Sequence, residues 1–99
     1  MIEPALAEYL TRRQSALDRV RLMLVHRLGL PWTADEIDPD TPLFEDGLGL
    51  DSVDAIEIIV SMEEEFGVVM PDDALGRARL RTVNLLVDRV LAVESAHER

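Results

Sequence analysis

Ninety-nine residues with no cysteine suit one domain with a modest core and exclude disulfides, thiolate metal sites and cysteine nucleophiles, so any thioester chemistry needs a thiol from outside the polypeptide. The net charge of −10 arises in the middle: residues 30–75 hold fourteen acids and no basic residue, whereas 1–29 and 76–99 each hold three acids and five arginines. Such a block repels itself in the compact state, which argues for a docking surface for basic partners, or a cation site, over a merely solvated face, and against direct binding of nucleic acid.

At the start of the chain, Met1-Ile2-Glu3-Pro4 leads no basic segment into an apolar stretch, and runs such as Leu22-Met23-Leu24-Val25 are too short to span a bilayer; a soluble, cytoplasmic protein is expected. A first helix is predicted from about Ala5 to Arg27, with Pro4 suited to its first turn and Leu6, Leu10, Leu17, Val20, Leu24 and Leu28 on one stripe. Gly29 and Pro31 end it. The long connection over 30–51 carries Trp32, Ile37, Leu43, Phe44, Leu48 and Leu50 among its prolines and glycines, a spacing that predicts a loop packed over the core. A second helix follows from Ser52 to Phe66 with Gly67 as its stop; Asp51 is placed to cap it and Asp54 to complete an acidic version of a capping box. Pro71-Asp72-Asp73 opens a short third helix. Thr82 caps a last helix that turns Val83, Leu86, Val87, Val90 and Leu91 inward, and the polar tail beyond Glu94 frays. The fold class is all-α: a small bundle of three main helices plus the short third helix, with a long loop between helices one and two. It forms one domain over 1–99, with its core over about 5–93.

The second helix has more apolar surface than one core stripe needs. Counting about 100° per residue from Ser52, Ile58, Met62, Ala55, Phe66 and Ile59 fall between about 240° and 340°, wide enough to face the core. Val53, Ile56 and Val60 form a second strip edged by Asp54, Glu57, Glu63, Glu64 and Glu65, the anatomy of a docking surface. The plain alternative is that this strip packs under the loop or the short third helix. Ser52 stands where the loop meets the helix, and in isolation it reads as a capping serine.

Its surroundings add to that reading. Leu48-Gly49-Leu50-Asp51-Ser52-Val53-Asp54, followed by Ala55-Ile56-Glu57 and Glu63-Glu64-Glu65-Phe66, resembles the phosphopantetheine attachment region of acyl carrier proteins, with Val53 where the family usually has leucine. Ile37-Asp38-Pro39-Asp40-Thr41-Pro42-Leu43 looks like the family's loop and Pro71-Asp72 like the start of its short third helix, so the resemblance covers about residues 18–93. It implies that a phosphopantetheinyl transferase, using coenzyme A and magnesium, attaches a 4′-phosphopantetheine arm through a phosphodiester on Ser52. Ser52 is then a modification site; the chain itself has no catalytic residue and no metal ligand. Asp51 and Asp54 would help the transferase recognise the serine. Val53, Ile56, Glu57, Val60, Glu63 and Glu64 match positions that meet basic, apolar-edged surfaces on acyl-transferring and ketosynthase-type enzymes. The arm would supply the thiol that the sequence lacks, and the carrier would act as a monomer.

Other readings fare less well on the same residues. A serine hydrolase needs a positioned base and an oxyanion hole, but Ser52 lacks the Gly-x-Ser-x-Gly elbow, and neither His26 nor His97 has an indicated pairing with it. An EF-hand starting at Asp38 would put Pro42 and Leu43 where a ligand and the turning glycine belong. Arg77-x-Arg79-x-Arg81 reads as a solvated loop that offsets nearby acids more readily than as a phosphate site. A helical adaptor with no prosthetic group is the main non-carrier alternative. A peptidyl carrier usually has Gly-Gly-x before the serine, whereas Gly49-Leu50-Asp51 and the acidity favour acyl cargo. The early first helix and the spacious Asp46-Gly47-Leu48-Gly49-Leu50 point to a specialised stand-alone member serving fatty-acid, lipid or polyketide synthesis.

Overall fold

Three helices carry most of the residues described by the computed structural model, 3–70 and 78–97: α1 (Pro4–Leu28), α2 (Ser52–Phe66) and α3 (Val83–His97). The connection between α1 and α2 holds one 3-10 turn, Ala34–Glu36, and no strand occurs among the described residues. The expected all-α bundle is thus observed, while the short helix expected from Pro71 lies outside the described residues.

Each boundary has a local cause. Glu3 caps α1, its carboxylate accepting from the amides of Ala5 at 3.1 Å and Leu6 at 3.2 Å, and Pro4 occupies the first turn, where no donor is missed. Gly29 closes α1 in the left-handed region at φ 62°, its amide donating to the Val25 carbonyl. Gly67 does the same for α2 at φ 68°. Thr82 caps α3 as expected, with Oγ1 accepting from the Leu85 amide at 3.2 Å. α3 continues to His97, three residues past the expected start of the polar tail.

The core gathers Ala16, Val20, Met23 and Leu24 of α1, Ile58 and Met62 of α2, and Val83, Leu86, Val87 and Val90 of α3, with Val68, Met70 and Leu80 from the segments between α2 and α3. At about 1.5–3 kcal/mol for each large side chain withdrawn from water, these residues supply the main driving force for the bundle. α1 and α2 run antiparallel, since Arg19 lies over the Phe66 ring at 4.8 Å while Arg27 reaches back to Glu57.

One expectation about α1 is corrected. Leu6 and Leu10, placed on one stripe with Val20 and Leu24, are 47% and 45% exposed and do not share the burial of that stripe, and every residue from Glu3 to Thr11 is exposed. At 25 residues α1 outruns α2 and α3, which have 15 each, so its first two turns have nothing beneath them among the described residues. Ala16 is the first buried side chain in chain order among the described residues.

The long connection packs over the core as its spaced apolar residues suggest. Ile37 and Leu43 are buried, Phe44, Leu48 and Leu50 pack against the core, and Trp32 stays at the surface. Its backbone is cross-braced: the Leu48 amide donates to Pro42 O at 3.0 Å, Leu50 to Leu43 O at 3.0 Å, and Leu43 to Arg81 O at 2.8 Å. Asn84 of α3 fastens it from below, with its amide on Pro39 O at 3.1 Å, its side-chain nitrogen on Asp40 at 2.6 Å, and its side-chain oxygen accepting from Arg13 at 3.0 Å. Arg13 also pairs with Asp88 at 2.7 Å. Gly47 lies against the Pro42 carbonyl, where a Cβ would collide with backbone; only glycine permits this close approach.

Candidate functional site

The braced loop delivers the chain to the start of α2, where Asp51 is the N-cap. Its Oδ1 accepts from the Asp54 amide at 2.9 Å, and the Asp51 amide donates to Asp54 Oδ2 at 2.9 Å. This is the reciprocal capping box anticipated from the two aspartates. The Asp54 amide bond holds the Asp51 carboxyl below its ordinary value, because a hydrogen-bond donor stabilises the ionised form.

Ser52 occupies the first helical position, is exposed, and makes no side-chain hydrogen bond among the described residues. The capping work that could have held a serine at this corner is done by Asp51. Its hydroxyl faces solvent beside the unpaired amides and positive pole of a helix N-terminus. Nothing crowds it on the helix: Val53 is 71% exposed and Ile56 62%.

Down α2 the two apolar arcs part as their angles suggest. Ile58 and Met62 are buried, and Ala55, Ile59 and Phe66 pack against the core. Val53, Ile56 and Val60 stay exposed, so the second strip is not covered by the loop.

The acidic edge holds a feature that the wheel misses. Arg27, in the last turn of α1, spreads its guanidinium over three carboxylates of α2: Nη2 to Glu64 at 2.7 Å, Nε to Glu65 at 3.1 Å and Nη1 to Glu57 at 3.6 Å. The bond to Glu64, then that to Glu65, raises the Arg27 pKa above its ordinary value. Ser61, between these acids on the wheel, is fully buried and donates to Glu57 at 3.4 Å; a small residue there lets the two helices close. Glu63 is exposed and forms no ion pair among the described residues. The cross-helix pairing depends on how α1 meets α2, and the only sequence signal was a lone arginine near the end of a helix opposite an acidic one.

Hollows border the bundle among the described residues, two of them well formed. One of about 450 Å³ is lined by Arg19, Leu22, Met23, His26, Arg27, Glu65 and Phe66; Phe66 is about 21 Å along α2 from Ser52 at 1.5 Å per residue. The other, about 270 Å³, lies between the loop and the segment before α3, lined by Pro42, Phe44, Glu45, Leu80 and Arg81. Neither includes Ser52. Among the described residues, no group of three or more His, Cys, Asp or Glu side chains is gathered to hold a metal ion, and no helix is long and apolar enough to cross a membrane.

The family model for the phosphopantetheine attachment site matches residues 18–90, a span that holds the loop, all of α2 and the buried part of α3. The chain belongs to this family. It is a carrier and not a catalyst: its domain is the attachment site for covalent 4′-phosphopantetheine. Carriers of this kind work with the transferase that loads them and with biosynthetic enzymes that use what they carry.

Proposed function

We propose that this protein is an acyl carrier protein loaded at Ser52. The observation that carries this reading is the division of labour at the corner of α2: Asp51 caps the helix, leaving an exposed serine hydroxyl with no structural duty. When bound, the phosphopantetheine arm supplies a terminal thiol on which acyl groups are held as thioesters. The protein's own contribution is positional. The braced loop and the capping box fix Ser52 at the end of α2, and the first-turn amides and helix dipole favour the phosphodiester. Asp51 and Asp54 present the serine to the transferase. Val53, Ile56 and Val60, with Glu57, Glu63 and Glu64 around them, form a docking face for basic, apolar-edged enzymes of fatty-acid, lipid or polyketide synthesis, such as acyltransferases and ketosynthases. The acidic middle of the chain and Asp51 ahead of the serine favour acyl over aminoacyl cargo. We place this work in the cytoplasm and assign it to the monomer.

Incubation with coenzyme A, magnesium and a permissive phosphopantetheinyl transferase should add one phosphopantetheine, mapped by peptide mass to Ser52. Ser52→Ala should fold and stay unmodified. If several broadly tolerant transferases leave the folded wild type untouched, the assignment fails. The intact mass of the protein from its native host would separate acyl from aminoacyl cargo.

A further inference from the structure

The docking face of α2 is not uniformly open. Val53, Ile56, Val60 and Glu63 are exposed and face no opposite charge among the described residues. Glu57, Glu64 and Glu65 lie under the Arg27 guanidinium at 3.6, 2.7 and 3.1 Å, although their side chains are still 40%, 55% and 39% exposed. The same carboxylates are thus accessible to a partner and already matched by the chain's own cation.

We propose that Arg27 is a specificity-determining residue, an internal cation that masks Glu57, Glu64 and Glu65 of α2 from basic partners. This rests on the docking reading given above. A partner cation approaching Glu57 or Glu64 meets Arg27 before it, and like charges brought together disfavour the encounter. A partner that touches only the open strip near Ser52 is unaffected. One that brings a guanidinium placed to take over these contacts engages the whole helix. Arg27 suits this role because its rigid planar fork holds three nitrogens apart, each facing a different carboxylate. The partner class selected is a protein whose basic residues lie at the far end of its docking face, away from the position that receives Ser52.

After incubation with coenzyme A, magnesium and a permissive transferase, the test measures association of the full chain with a ketosynthase-type enzyme whose basic residues lie at the far end of its docking face, comparing wild type, Arg27→Gln and Arg19→Gln. Each variant takes the net charge from −10 to −11 by removing one positive charge from α1. Arg19 stacks on Phe66 and pairs with no carboxylate of α2 among the described residues, so it controls for net charge. Arg27→Gln should associate about two- to fivefold faster at low ionic strength, the scale of releasing one exposed charge. The gain should vanish near 1 M salt, where the screening length is about 3 Å; Arg19→Gln should stay near wild type. The proposal is overturned if Arg27→Gln is no faster, if Arg19→Gln matches it, if the gain survives high salt, or if none of the three chains associates. Intact mass on the same samples tests the carrier reading separately: association without an adduct at Ser52 rejects that reading and leaves the mask to be judged on the rates.

Discussion

Two residues only two positions apart, on opposite sides of the helix, define the separate duties of α2. Met62 is fully buried in the core, while Val60 is 39% exposed on the opposite side of the helix. Met62→Ala leaves a cavity in a packed site and should cost about 2–5 kcal/mol of stability. Val60→Ala removes surface already half in water, and should cost well under about 1.5 kcal/mol while slowing acyl transfer by a cognate enzyme. Denaturant melts paired with transfer kinetics check both. Equal destabilisation would make the second strip part of the core and confine the docking face to the acids and the corner at Ser52. The wheel separates these two residues because both lie on one regular helix, where a fixed angle per residue holds. Ser61 escaped it for the same reason that Arg27 did: burial of a small polar side chain is decided by what the neighbouring helix brings to it.

At the scale of the helix, the capping box makes α2 sensitive to acid at its Ser52 end. The Asp51 carboxyl is held below its ordinary 3.8 by the amide of Asp54, so its contribution is fully present above that value and is lost as pH falls through the lowered one. Asn caps a helix about as well as Asp but does not titrate. The stability difference between wild type and Asp51→Asn should therefore be constant from neutral pH down to about 4 and turn against the wild type below 3.8. Urea melts across that range read this directly; a difference that already changes between pH 7 and 5 would implicate another group. This cap was legible because its whole logic lies within four residues, as was that of Gly67. The outer turns of α1 were not. Leu6 and Leu10 carry the right period, but whether a stripe is covered depends on the lengths of α2 and α3, and local periodicity has no access to that.

For the whole molecule, the acids of residues 30–75 outnumber the cations that reach them, even with Arg27 laid across three of them. Millimolar magnesium or calcium should raise the melting temperature by relieving repulsion in the compact state. The effect should be spread over many carboxylates, so no single Asp→Asn change should remove it; complete loss in one such variant would reveal a discrete site. The location of the block was legible from composition alone, whereas its partial neutralisation came from α1, distant in sequence. The overhang of α1 has a consequence for how the protein opens. Amide protection follows buried contacts, so the molecule should unlock in tiers. The backbone of Ala7 to Thr11 should exchange its hydrogens through fraying that leaves the bundle intact, while Val20, Leu24, Ile58 and Val87 should exchange only when the whole domain unfolds. A single helix thus spans the least and the most protected parts of the protein, and the boundary between them falls near Arg13, where the clasp to Asn84 and Asp88 begins.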